Sequence, residues 1–92
     1  MLKINEYFEG KVKSIAFQAE DTNATAGVIS VGEYSFDTSK KEVITISYGK
    51  LQVKLPGKNW ETFTKGQSFS VDAGVVFDVK AEKDVAYICL YY

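Results

Sequence analysis

Alternating hydrophobic and polar residues run along most of the chain and predict short β-strands. The clearest case is Lys50–Leu55, where three aliphatic residues alternate with lysine and glutamine, as in a strand with one buried face. Similar runs cover residues 11–17, 26–31, 33–38 and 59–64. Gly49 and the Pro56-Gly57 pair interrupt the runs and predict hairpin turns. No stretch keeps a helical period. About ten short strands with such punctuation predict an all-β sandwich or barrel, with a jelly roll as its closure.

Two segments depart from simple alternation. Gln18–Thr25 is polar and is predicted to be a loop. The last segment, Val85–Tyr92, has no polar face, and a strand that is apolar on both faces is covered on both faces. Its alternation places Tyr87, Cys89 and Tyr91 on one side and Ile88, Leu90 and Tyr92 on the other. We expect one side to fill the interior and the other to contact a partner subunit.

Length and composition narrow the class of protein. A chain of 92 residues predicts a single domain spanning residues 1–92. The net charge of −1 and the lack of a basic cluster give no reason to expect nucleic acid as a partner. No apolar run approaches the ~20 residues that cross a bilayer, and no secretion signal is apparent, so no membrane is expected. A single cysteine, Cys89, excludes an internal disulfide and predicts a cytoplasmic protein.

The central stretch carries a spacing that resembles the paired motifs of the cupin family of β-barrels. Glu42 and Gly49 fit the second half of the first motif, and Gly66 and Gly74 fit the glycines of the second. Departures from the cupin pattern are Asp72 at the motif's proline and Phe77 at its histidine. The chain contains no histidine at all. Because transition metals prefer imidazole or thiolate ligands, we predict a cupin-like jelly-roll barrel without a metal.

Across nearly the whole chain, from Asn5 to Tyr91, the resemblance narrows to one family of small cupins. The segments that carry it include Asn5–Phe8, Gly10–Ile15, Gly32–Phe36 and Ala86–Cys89. They are similar to the pyrimidine/purine nucleoside phosphorylases. The resemblance implies a metal-free, cofactor-free homodimer that acts as a glycosyltransferase, more narrowly a pentosyltransferase. It would split purine and pyrimidine ribonucleosides with inorganic phosphate into free base and α-D-ribose 1-phosphate. Unlike many relatives, the chain has no basic residue in the loop at 21–24.

Cleavage of an N-glycosidic bond builds positive charge on the ribose, so the site needs a carboxylate in a dry pocket. Glu42 is the candidate catalytic residue because it occupies the cupin carboxylate position. The alternative for Glu42 is a solvated glutamate at the start of a strand. Glu33 and Asp37 are weaker candidates, since they lie opposite the aromatic face of their strand. The group that protonates the departing base stays open between a carboxylic acid, a tyrosine and water.

The two substrates need different surfaces. A base can stack on an aromatic ring, whereas phosphate needs positive charge and hydrogen-bond donors. The candidate substrate-binding residues are Tyr34, Phe36, Thr38, Phe77 and Tyr87. The candidate phosphate-binding residues are Lys11, Lys13, Ser14 and Ser39, with the Thr38 hydroxyl as a further donor. For the aromatic residues the alternative is plain core packing. For Lys11 and Lys13 it is a solvated strand end.

Two other functions fit the same features. A non-catalytic cupin that binds a sugar, nucleoside or other small metabolite would explain the barrel and the missing metal ligands equally well. A structural dimer module would suit the doubly apolar last strand. Turnover that depends on phosphate separates the enzyme from both. Cys89 is interpreted as a small buried hydrophobic residue, because nothing nearby in sequence would stabilise a thiolate.

Overall fold

Residues 2–92, which the computed structural model describes, fold into ten β-strands and one short 3-10 turn. The turn covers Phe8–Gly10. The strands are β1 (Lys3–Tyr7), β2 (Val12–Gln18), β3 (Asn23–Ile29), β4 (Gly32–Asp37), β5 (Glu42–Tyr48), β6 (Lys50–Lys54), β7 (Glu61–Thr64), β8 (Ser68–Val71), β9 (Val76–Ala81) and β10 (Val85–Tyr91). The prediction of an all-β fold with about ten strands is confirmed.

The strands form two antiparallel sheets that face each other. The larger sheet has six strands in the order β1-β2-β3-β10-β5-β8, and the smaller has four in the order β4-β9-β6-β7. Consecutive strands often lie in different sheets, so the chain crosses between layers as it does in a jelly roll. The two sheets are separate in their hydrogen bonding, and their inner faces enclose the interior as a flattened barrel.

Alternation along each strand directs one set of side chains into the space between the sheets. Leu51 and Val53 of β6 are each 1% exposed, as the pattern at residues 50–55 predicts. Ile46 of β5 is fully buried opposite them. Burying an aliphatic side chain of this size contributes about 1.5–3 kcal/mol relative to exposing it. The core therefore fixes which face of each strand points inward and, with it, the inner positions that form the site.

The prediction of a loop over Gln18–Thr25 is wrong at both ends of that segment. β2 continues to Gln18, β3 begins at Asn23, and only a tight turn joins them. That turn closes through a hydrogen bond from the Ala19 amide to the Thr22 carbonyl, 2.9 Å long. β3 pairs with β2 on one side and with β10 on the other. Backbone pairing on both sides outweighs the low strand propensity of Asn23 and Ala24.

The turn between β1 and β2 is backbone-strained. Phe8 and Glu9 have φ angles of 52° and 60°, which side chains other than glycine seldom adopt. The Phe8 ring packs at 4.9 Å from the Tyr34 ring and 5.5 Å from the Phe36 ring, centroid to centroid. These aromatic contacts offset the cost of the turn. The turn holds the preceding residue, Tyr7, beside the interior.

Candidate active site

An interior cavity of about 190 Å³ lies between the two sheets. One wall is the inner face of the larger sheet, and its polar members are Ser14, Glu42, Tyr87, Cys89 and Tyr91. The facing wall is mainly apolar and comes mostly from the smaller sheet through Phe36, Leu51, Phe77 and Val79, with Phe69 of β8 at the side and Asp37 of β4 as its polar member. A flat apolar group and an oxygen-rich group can therefore be held in one cavity.

Strand register brings the polar wall together. Tyr91 of β10 lies opposite Glu42 of β5, and Cys89 lies opposite Thr25 of β3. Tyr87 lies two residues earlier on the same face of β10. Three polar residues of one strand thus meet partners from two neighbouring strands. The sequence segments involved are far apart, and only the pairing of β10 between β3 and β5 makes them adjacent.

Glu42 is half-buried at the start of β5, with its carboxyl toward the cavity. The Cys89 thiol donates a hydrogen bond to Glu42 Oε1 at 3.5 Å. Burial raises the pKa of the Glu42 carboxyl above its ordinary value of 4.5, and the hydrogen bond from Cys89 acts in the opposite direction. The charge of Glu42 therefore depends on its burial in the cavity. A half-buried position favours the candidate site over the alternative of a fully solvated glutamate.

The other titratable groups of the polar wall stay protonated at neutral pH. Burial raises the pKa of Tyr87 to about 12, and the nearby Cys89 adds to that rise. Burial likewise raises the pKa of the Cys89 thiol to about 12, with the Glu42 carboxylate as the second cause. Burial also raises the pKa of Tyr91, whose hydroxyl lies 3.0 Å from the Thr25 hydroxyl. The wall offers neutral hydroxyl donors, and Cys89 is a thiol without nucleophilic character.

The apolar wall presents aromatic rings. The Phe36 and Phe77 centroids are 5.7 Å apart with an angle of 32° between the rings, and Phe69 meets Phe77 edge-on at 6.4 Å. Phe77 is 4% exposed, so part of its surface packs in the core, while Phe36 is only partly buried. Stacking on an aromatic face does not depend on the hydrogen-bonding pattern of a flat ring, so this wall is suited to flat groups of different kinds.

The structure brings five of the predicted site residues to the cavity and leaves others outside it. The five are Ser14, Phe36, Glu42, Phe77 and Tyr87. Tyr34 is buried, and its hydroxyl donates to the backbone carbonyls of Ser30 and Val31 at 3.1 and 3.0 Å. Thr38 is also buried, and its hydroxyl donates to the Asp72 carbonyl at 2.6 Å. Tyr34 and Thr38 hold loops in place.

The predicted cations lie on the surface. Lys13 points away from Ser14, its neighbour on β2, and its ammonium lies 3.6 Å from the Glu6 carboxylate. Lys11 and Ser39 are exposed in turns at the ends of strands. Within residues 2–92, no lysine lines the interior cavity. Of the predicted phosphate ligands, Ser14 alone shares the cavity with Glu42, and it is 3% exposed.

Among the polar residues that line the cavity, Tyr7, Asp37, Cys89 and Tyr91 were not predicted site residues. Tyr91 continues the inward face of Tyr87 and Cys89, so the alternation of the last strand contained the signal for it. Asp37 was only a weaker candidate, and it reaches the cavity from the end of β4 although its strand alternation points it outward. Tyr7 depends on the pairing of β1 with β2 and on the strained turn after it, which no local pattern reveals.

The donor set of the described chain does not favour a metal. Nowhere in residues 2–92 do three or more histidine, cysteine, aspartate or glutamate side chains cluster closely enough to hold a metal ion. A lone half-buried carboxyl beside a protonated thiol is a poor ligand set for a transition metal. Among the same residues, no helix is long and apolar enough to cross a membrane.

The sequence matches one protein family over nearly its whole length. The family described as pyrimidine/purine nucleoside phosphorylase matches residues 2–91. A relative named pyrimidine/purine nucleoside phosphorylase, from Marinobacter nauticus, is 53% identical over 92 residues, which cover 99% of this chain and 99% of the relative.

Solved structures share the fold. A protein of unknown function from Vibrio parahaemolyticus superposes with a TM-score of 0.95 at 36% identity and covers 100% of this chain and 99% of its own. An RmlC-like cupin from Shewanella frigidimarina superposes with a TM-score of 0.77 at 21% identity over 97% of this chain and 81% of its own. The second likeness concerns the fold alone. The cupin-like jelly roll predicted from the spacing of Glu42, Gly49, Gly66 and Gly74 is confirmed.

Proposed function

Because the chain belongs to the pyrimidine/purine nucleoside phosphorylase family, we propose that it splits purine and pyrimidine ribonucleosides with inorganic phosphate. The products are the free base and α-D-ribose 1-phosphate, which makes the protein a pentosyltransferase. The observation that carries this proposal at the level of residues is the two-walled cavity, with aromatic rings on one side and Glu42 among hydroxyl groups on the other.

In the proposed reaction the bond between C1′ and the base nitrogen breaks, and a phosphate oxygen forms a new bond to C1′. The bonding pair leaves with the base, which takes up the proton that the attacking hydrogen phosphate loses, so that the reaction balances. Positive charge builds on the ribose in between, and the ionised Glu42 carboxylate stabilises it. Burial strengthens that stabilisation because the dielectric constant between the sheets is lower than in water. The base stacks on Phe36 and Phe77, which tolerate either ring size.

The phosphate is proposed to bind through hydroxyl donors within the cavity. The hydroxyls of Ser14 and Tyr87 donate hydrogen bonds to the phosphate oxygens. Because these hydroxyls are neutral, they need no carboxylate nearby to balance a positive charge. Lys11 and Lys13 stand on the other face of β2, so we assign them a weaker, long-range attraction for the anion. Ser14 is therefore the main proposed phosphate ligand, and Lys11 and Lys13 contribute less.

We also propose that the protein is a homodimer that pairs through the outer face of the six-stranded sheet. Cross-strand register aligns Ile4, Ile15, Ala26 and Ile88 into one row across β1, β2, β3 and β10. Ile4 is 67% exposed and Ile15 is 42% exposed in the single chain. Contiguous apolar surface of this kind marks protein contacts in soluble proteins.

The direct test is incubation of inosine and uridine with the protein, with and without phosphate, followed by chromatography. We expect free base and ribose 1-phosphate only in the tubes that contain phosphate, and the same result in excess chelator. Saturable nucleoside binding without turnover in a folded sample would contradict the enzyme and indicate a non-catalytic binding protein. Loss of activity in chelator, restored by one metal, would contradict the metal-free reaction.

A further inference from the structure

Gly27, in the middle of β3, lies directly beneath the end of the Tyr87 ring. A Cβ atom built at Gly27 would lie 2.6 Å from Tyr87 Cζ and 2.6 Å from its hydroxyl oxygen. Both distances are far shorter than any van der Waals contact, so no residue with a side chain fits while Tyr87 keeps this position. The ring therefore occupies the space that a side chain at residue 27 would fill.

Backbone conformation does not explain the glycine. The φ angle of Gly27 lies outside the left-handed region, unlike that of Gly49 at 98° or Gly32 at 143°. Any amino acid can adopt an extended strand backbone, and glycine within a strand weakens the strand relative to alanine. The glycine at this position is therefore required for space alone.

Strand register and a local irregularity aim Tyr87 at this space. Gly27 pairs with Tyr87 on one side and with Ser14 on the other, so the three residues form one row across β10, β3 and β2. The pairing of β10 with β5 shifts register between Ala86 and Tyr87. Such shifts commonly redirect a side chain beside a site. The Tyr87 side chain lies across β3, along the row that ends at Ser14.

We propose that Gly27 is a positioning residue of the active site. Its missing side chain lets the Tyr87 ring lie across β3, so that the Tyr87 and Ser14 hydroxyls form one pair of donors at the cavity. The pair binds an oxygen acceptor of the substrates, which in the reaction proposed above is a phosphate oxygen. The kinetic part of this inference rests on the proposed phosphorolysis, whereas the steric part does not.

The steric part is tested by thermal unfolding of Gly27→Ala, Tyr87→Leu and the double variant. We expect Gly27→Ala to lower Tm in both backgrounds, because the Lys13 carbonyl also lies 2.8 Å from the Cβ position. The loss should be smaller in the Tyr87→Leu background, because leucine does not reach across β3. Equal losses in both backgrounds would overturn the inference, since they would assign the clash to the Lys13 carbonyl, 2.8 Å from the same Cβ position. If Gly27→Ala alone fails to fold, a folded double variant is the expected outcome, and an unfolded one contradicts the inference.

The kinetic part compares Gly27→Ala with Tyr87→Phe, which removes only the hydroxyl. Both should raise the KM for phosphate about tenfold, as expected for one lost hydrogen bond. Combining them should add little, and kcat should change less than KM. A rise in the KM for uridine instead of phosphate would contradict the assignment of the pair to the anion.

Two outcomes separate the inference from the proposed function. Normal kinetics in a folded Gly27→Ala protein would overturn the positioning role while leaving the enzyme intact. Absence of turnover in the unmodified protein would instead refute the proposed function, and the unfolding experiment would still decide whether Gly27 makes room for Tyr87.

Discussion

At the residue scale, the chemistry of the cavity depends on the charge of Glu42. Its proposed role requires the ionised form, and burial raises its pKa above 4.5. The ionised fraction therefore falls as the pH decreases through the raised pKa, and kcat should fall with it. We expect an acid limb in the pH profile of kcat that lies above pH 4.5. Glu42→Gln should lower kcat by on the order of a hundredfold with a smaller change in nucleoside binding.

The matched control is Glu33→Gln, because Glu33 is an exposed glutamate that pairs with Lys80 at 3.5 Å outside the cavity. That variant should keep both kcat and the acid limb. An acid limb that survives in Glu42→Gln would assign the titration to another group, with Asp37 as the next candidate at the cavity. The profile is measured with uridine at saturating phosphate from about pH 4 to about pH 8.

Substitutions at Ser14 and at the two lysines should change the KM for phosphate by different amounts. Ser14→Ala should raise the KM for phosphate about tenfold, because it removes a donor within the cavity. Lys13→Ala and Lys11→Ala should raise it no more than about twofold, and added salt should remove even that difference. Initial rates at varied phosphate and fixed uridine measure all three. A larger loss in either lysine variant would show that the side chain reaches the anion in solution.

At the element scale, Thr38 joins the end of β4 to the loop before β9. Its hydroxyl donates to the Asp72 carbonyl at 2.6 Å and accepts from the Val75 amide at 3.1 Å. Thr38→Val keeps the shape and removes both bonds, which should cost about 1–3 kcal/mol in the free energy of unfolding. Ser39→Ala, at the exposed neighbour, should cost almost nothing. Urea denaturation measures both variants, and unchanged stability with a raised nucleoside KM in Thr38→Val would return Thr38 to the substrate-binding residues.

The elements differ in how well the sequence predicts them. β6 is well predicted because one face is fully buried, so aliphatic residues recur at every second position. The start of β3 is not, because Asn23 and Thr25 are stabilised by pairing with strands on both sides and by the Tyr91 hydroxyl. The local sequence carries no trace of such distant partners. The same cause hides Tyr7, which reaches the cavity only through the pairing of β1 with β2.

At the scale of the whole molecule, the cavity follows from how the two sheets face each other. The cupin spacing identifies Glu42, and alternation identifies the aromatic face that includes Phe36. Alternation gives Tyr34 and Phe36 equal weight, yet only Phe36 lines the cavity. The difference arises because the Tyr34 hydroxyl is held by the turn at residues 30–31. A period of two residues assigns a side chain to a face but not to a position along the barrel axis.

The outer face of the six-stranded sheet yields the last prediction. Ile15→Asp places a charge in the middle of the row formed by Ile4, Ile15, Ala26 and Ile88. Because Ile15 is 42% exposed in the single chain, the monomer should fold, and a dimer should dissociate at least about tenfold more readily. Val76→Asp is the control, since Val76 is 55% exposed but belongs to the other sheet. Light scattering at micromolar concentration should find the unmodified protein and the control dimeric and Ile15→Asp shifted to monomer. A monomeric unmodified protein would contradict the proposed dimer. A dimer that Ile15→Asp leaves intact would show that the subunits pair through another surface.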